Sequence, residues 1–200
     1  MIEFFFDCSS PWTWLGFESV QTMAEELGAE ITWRPILVGG VFNAVNGSVY
    51  EGRKNPVPAK ARYMLKDLQD WARLQQLSIK FPPSVFPVNS VKVMRGCCWL
   101  GQDCVAFARA AFQAYWTDDR DISDDVVIAE VGERAGLDVD ALFAAIASEA
   151  VKAQLRDNTD ELIARGGFGS PTIFVAGDDM FFGNDRMPLV RAAIEAQRAG

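Results

Sequence analysis

Residues able to do chemistry without a metal or a redox pair sit in one short turn of this chain, Asp7-Cys8-Ser9-Ser10-Pro11-Trp12-Thr13. An aromatic run, Phe4-Phe5-Phe6, leads into it, and Ser10-Pro11 then opens a helix at the one position, the first helical residue, where proline fits well. Ser10 thereby offers a hydroxyl beside the unpaired N–H groups of a helix N-terminus. Those donors and the helix dipole favour negative charge, so the turn is a seat for an anion or a thiolate. Taken alone, a Ser-Pro pair is most often an ordinary helix cap. The chemistry elsewhere is restricted: with no histidine in 200 residues, every His-based triad is excluded. Cys8, Cys97, Cys98 and Cys104 lack Cys-x-x-Cys spacing, so no metal site is expected and the four read as reduced core residues.

The elements that must position this turn follow from periodicity. Residues 2–7 read as a buried central strand, and Phe17, Val20, Ala24 and Leu27 recur at helical spacing up to the terminating Gly28. Residues 30–36 form a second strand, which predicts a β-α-β unit with a right-handed crossover. Residues 39–57 carry Gly39-Gly40, Asn46-Gly47 and Gly52 and read as a long loop of several turns. Beyond it, helices are predicted over 58–77, 91–100, 104–116, 124–135 and 138–147, with Asn89-Ser90, Asp103, Ser123 and Asp138 or Asp140 as candidate caps. A helix at 150–165 leads to strands at 172–176 and 179–182, joined by the turn Gly177-Asp178, and Asn184 or Asp185 caps a final helix. The expected fold is α/β, with residues 1–41 and 150–200 in one domain and 42–149 an inserted all-helical domain.

Half of the residues are hydrophobic, ample for a sizeable core, and the net charge is −8. That charge argues against nucleic acid or an anionic membrane as partner. No apolar run approaches the roughly 18 residues of a membrane span, and the first residues lack a basic, cleavable leader, so a cytoplasmic location is expected.

The run from Phe6 to Glu18 resembles the opening of the kappa-class glutathione transferases and of the 2-hydroxychromene-2-carboxylate isomerases. Both belong to the thioredoxin-like superfamily, in the branch of the DsbA-type disulfide oxidoreductases. Ser10-Pro11-Trp12-Thr13 lies where those oxidoreductases carry Cys-Pro-x-Cys, so the site cannot cycle through a disulfide but can bind another molecule's thiol. A second signature, Phe168-Gly-Ser-Pro-Thr172 followed by Phe182-Gly-Asn-Asp-Arg186, is similar to the C-terminal motifs of both families.

The resemblance implies a thioredoxin-like fold, glutathione as cofactor and Ser10 as the catalytic residue at its sulfur. It places Pro171 as the superfamily's cis-proline, Ser170 against the cysteine backbone of glutathione, and Asn184 and Asp185 at the γ-glutamyl end. Lys60 matches a lysine that contacts glutathione. Asn55 is the candidate for a companion asparagine, with Asn46 as competitor because the loop spacing differs between the families. The leading activity is interconversion of 2-hydroxychromene-2-carboxylate and trans-o-hydroxybenzylidenepyruvate, small aromatic oxo-acids, by a homodimer. Trp12, Phe42 and Phe86 are candidates to line the substrate pocket. The alternatives are a kappa-like transferase or peroxidase, and a non-enzymatic or thiol-redox protein of the DsbA type. Cys8, beside the turn, carries the minor hypothesis of a mixed disulfide with glutathione.

Overall fold

The computed structural model describes residues 1–199, and in them four strands and ten α-helices follow one another. They are β1 (Ile2–Phe6), α1 (Pro11–Leu27), β2 (Ile31–Pro35), α2 (Val38–Val45), α3 (Ser48–Lys54), α4 (Pro58–Leu74), α5 (Val91–Leu100), α6 (Val105–Trp116), α7 (Asp125–Arg134), α8 (Val139–Ala147), α9 (Glu149–Ala164), β3 (Thr172–Val175), β4 (Asp179–Phe182) and α10 (Met187–Ala199). The sheet order is β2-β1-β3-β4, with β1 parallel to β2 and antiparallel to β3. This is the thioredoxin arrangement, and every element between β2 and β3 is helical.

Three consecutive phenylalanines in β1 are explained by the pleat. Successive side chains point to opposite faces, and both faces are covered. Phe4 and Phe6 meet Phe17 of α1 and Trp33 of β2, while Phe5 meets Phe174 and the small core made by Ile36, Val41 and Leu162. The helical segment shares the larger core without a break: Phe112 of α6 lies 5.3 Å from Phe17 and stacks on Trp14 at 6.0 Å. The divisions drawn at 41/42 and 149/150 fall inside α2 and after the first residue of α9.

Residues 39–57 differ from the loop read in the sequence, since they contain most of α2 and all of α3. The glycine and asparagine signals there mislead because helix formation is decided by distant partners. Val38 and Val41 are buried, and the N-terminus of α2 is capped from the residue that follows β1, where Asp7 Oδ2 accepts the Val38 N–H at 2.8 Å. Smaller differences concern caps. Asp124 caps α7 in place of Ser123, a 3-10 turn at Gly101–Cys104 precedes α6, and another at Asn184–Arg186 precedes α10 where a simple cap was expected. α4 also stops at Leu74, not at residue 77.

Candidate functional site

Ser10 stands at the N-cap of α1 with extended backbone, and its Oγ accepts the Thr13 N–H at 3.3 Å. The same hydroxyl donates to the Ser170 carbonyl at 3.4 Å. Both contacts are at the long end of the hydrogen-bond range. The hydroxyl is therefore only loosely engaged, beside the dipole end of a 17-residue helix. Thr13, the other residue of the Ser-Pro-x-Thr run, is differently engaged. It is wholly buried, with Oγ1 2.8 Å from Ser170 Oγ, which in turn accepts the Asp7 N–H at 3.1 Å. Thr13 and Ser170 thus lock the first turn to the loop before β3, where the Ser170–Pro171 peptide is cis.

Gly16 permits that approach. A Cβ there would sit 3.0 Å from Pro171 Cγ and 3.5 Å from the Phe4 ring.

Asp7 is the second organising residue. Its Oδ1 accepts the Ser9 N–H at 2.9 Å while Oδ2 holds α2, so one carboxylate joins the Ser9-Ser10 turn to the helix across from it. Burial pushes its pKa up, and donation from Ser9, Val38 and the Ser90 hydroxyl draws it back. The sequence reading gave Asp7 no role. The available signal was a lone carboxylate at the end of an apolar strand, a residue type almost never buried unless partnered.

Cys8 points away from the turn. It is fully buried, its Sγ faces the Ala108 carbonyl at 4.0 Å, and burial pushes its thiol up. Its backbone instead ties the turn to the helical segment, since its carbonyl accepts the Trp116 Nε1–H at 3.0 Å.

Ser10 and Ser170 open on a cavity of about 580 Å³ between the first turn and helices α2, α3 and α5. Trp12, Phe42 and Phe86 all line it, as does Asn46. Asn55 and Lys60 do not: Asn55 ends α3 and Lys60 lies in the first turn of α4, both exposed. Asn184 and Asp185 follow Gly183, whose N–H donates to the Pro171 carbonyl at 3.1 Å. Asn184 is 5% exposed and its amide nitrogen has no partner, whereas Asp185 is exposed and pairs with Arg186 at 2.7 Å. Among the described residues no group of three or more acidic, histidine or cysteine side chains could hold a metal, and no helix is long and apolar enough to cross a membrane.

Residues 1–195 match the family described as a DSBA-like thioredoxin domain. The chain belongs to the DsbA-like thioredoxin family. Within it, the 2-hydroxychromene-2-carboxylate isomerase of Sphingobium xenophagum is 32% identical over 195 residues, 96% of each protein. Human glutathione S-transferase kappa 1 is 30% identical over 206 aligned positions, covering 94% of this chain and 88% of the transferase. A solved 2-hydroxychromene-2-carboxylate isomerase superposes with a TM-score of 0.82 at 27% identity, over 98% of this chain and 95% of the other. These relatives are named as enzymes, and this member carries Ser10-Pro11-Trp12-Thr13, without cysteine, at the start of α1.

Proposed function

We propose that this protein is a cytoplasmic, glutathione-dependent isomerase of small aromatic oxo-acids, of the type that interconverts 2-hydroxychromene-2-carboxylate and trans-o-hydroxybenzylidenepyruvate. The observation that carries the reading is the weakly held Ser10 hydroxyl at the start of α1, facing a cavity walled by Trp12, Phe42 and Phe86. Similarity to isomerases over nearly the whole length supports it.

Glutathione is assigned across the site, although among its proposed contacts only Ser10, Ser170 and Asn46 line the cavity. Asn184 presents a buried amide nitrogen without a partner, beside the helix start that would attract the γ-glutamyl carboxylate. Asp185 is assigned to the same end, Ser170 to the cysteine backbone, and Lys60 to the opposite end with Asn55 or Asn46; of the two asparagines, Asn46 is the one on the cavity wall. When bound, glutathione supplies the nucleophile, a thiolate that adds reversibly to the unsaturated substrate so that its double bond can rotate. Ser10 donates a hydrogen bond at the sulfur position, and the N-terminus of α1 adds its dipole, both favouring the charged form. The aromatic walls hold the substrate ring and keep water from the reacting atoms. Saturable dependence of the interconversion rate on glutathione tests this assignment.

A kappa-like transferase is the second reading, supported by relatives of that name at comparable identity. Conjugation of glutathione to an electrophile without isomerisation would select it. Thiol-redox cycling is disfavoured, because all four cysteines are buried and free. We also propose a homodimer, because α4 exposes Tyr63 and Leu74 on one side, at 65% and 73%. Light scattering is expected to give twice the 22.1 kDa chain mass, and a monomer mass refutes it.

A further inference from the structure

The cavity holds one unexplained charge. Arg53, near the C-terminal end of α3, lines it and is the only basic residue among the described residues that does so. Its guanidinium lies over two aromatic faces, 5.8 Å from the Phe42 ring centre and 5.4 Å from that of Phe86. Among the described residues no carboxylate lies within salt-bridge distance of it; Glu51, two residues before it, pairs with Lys54. The other charged group of the lining, Asp7, has both oxygens engaged by backbone amides. A guanidinium held between rings, free of an anion and facing an apolar chamber has its fork of donors available.

The helix carrying it has no buried residue, and Arg53 itself is exposed, but one side of the helix is tied to its neighbour. Tyr50, one turn before Arg53, donates its hydroxyl to Asn43 Oδ1 at 2.9 Å and sets its ring edge-on to Phe42 at 6.3 Å, which binds α3 to α2. Arg53 therefore approaches the cavity from the α3 side with its aromatic bracket preformed.

We propose that Arg53 is the specificity-determining residue for substrate, pairing through its guanidinium with the carboxylate of an aromatic oxo-acid whose ring packs on the other aromatic walls of the cavity, Trp12 and Phe81. This rests on the reading of the cavity as the substrate site. The planar fork matches a carboxylate with two parallel hydrogen bonds, and the remaining aromatic lining, Trp12 and Phe81, suits a flat aromatic body. The residue escapes a sequence reading because residues 39–57 look like a loop, in which a basic Arg-Lys pair reads as solvated surface.

The test separates this assignment from the isomerase reading by measuring binding as well as turnover. Quenching of tryptophan fluorescence in the full chain, with S-methylglutathione present as an unreactive stand-in for glutathione, gives Kd for trans-2-hydroxycinnamate and for its methyl ester. The wild type is expected to prefer the acid by about tenfold or more, a charge-assisted hydrogen bond being worth roughly that at a part-exposed site. Arg53→Met should bind acid and ester about equally, and Arg53→Lys should recover part of the preference. The KM for glutathione should remain within about twofold in both variants, where isomerisation can be assayed. An unchanged acid-to-ester ratio in Arg53→Met overturns the proposal, and so does a weakening confined to glutathione, which would place Arg53 on the peptide. If the wild type proved not to isomerise, the acid-to-ester ratios would still decide the role of Arg53.

Discussion

Replacing Ser10 by alanine isolates the thiolate seat from the fold that holds it. The hydroxyl makes two protein contacts, at 3.3 and 3.4 Å, so the folding cost is that of a weak helix cap, about 1 kcal/mol. Its effect on bound glutathione is expected to be larger. A hydrogen bond to a charged partner is worth about 1.5–3 kcal/mol, which at 1.36 kcal/mol per unit corresponds to a pKa about one to two units lower. Free thiols titrate near 8.5, so the bound thiol is expected near neutrality in the wild type and about one to two units higher in Ser10→Ala. The assay is the pH dependence of thiolate absorbance in the enzyme–glutathione complex. The protein's own cysteines do not interfere: burial pushes Cys98 up to about 12, and Cys8, Cys97 and Cys104 are also raised. The alkaline limb of the rate profile should move by the same amount. An unmoved titration with full turnover would refute the assignment and leave Ser10 a cap, with the helix terminus alone acting on the sulfur.

Four other substitutions probe the site. Asp7→Ala leaves the Ser9 and Val38 amides buried without acceptors, at roughly 1–3 kcal/mol each, partly offset by relief of the carboxylate's burial. Urea unfolding should show a net loss of about 2–4 kcal/mol. Because the folded pKa of Asp7 is raised, its favourable contribution is greatest in acid and declines as pH rises through that value, so the gap to the variant should narrow in the same direction. A gap that widens with pH would mean that the amide donors outweigh burial. Gly16→Val drives a side chain against Pro171 and should cost about 1–3 kcal/mol in thermal unfolding, with turnover falling further because α1 is moved off the Ser170 loop. Lys60→Ala and Asp185→Ala should raise the glutathione KM more than they lower kcat, since both are assigned to the ends of the peptide; unchanged glutathione saturation removes them from the site.

How much of this was legible depended on whether the decisive partner was close in sequence. The order of strands and helices was readable because Phe17, Val20, Ala24 and Leu27 carry a helical period, and because Gly177-Asp178 marks a local hairpin, although β3 ends at Val175 and the positive φ values fall at Ala176 and Gly177. The Ser10-Pro11 helix start depended on adjacent residues alone. By contrast, α2 is made by a carboxylate 31 positions away, and no window along the chain contains both Asp7 and Val38. Missing α2 and α3 meant that Tyr50 and Arg53 had no wall to belong to, and it left Asn46 and Asn55 unresolved. Only the folded chain separates these two, setting Asn46 on the cavity wall and Asn55 on the exposed end of α3. Asn184 was legible as a motif residue, but its buried, unpartnered amide was not, because that burial arises from packing of the 3-10 turn on elements far away in sequence.

The central claim is tested most directly by following the interconversion of 2-hydroxychromene-2-carboxylate and trans-o-hydroxybenzylidenepyruvate from both sides, with and without glutathione. Both directions should reach the same product ratio, at a rate that saturates with glutathione while the total thiol stays constant. Consumption of glutathione, or interconversion at the same rate without it, would contradict the account.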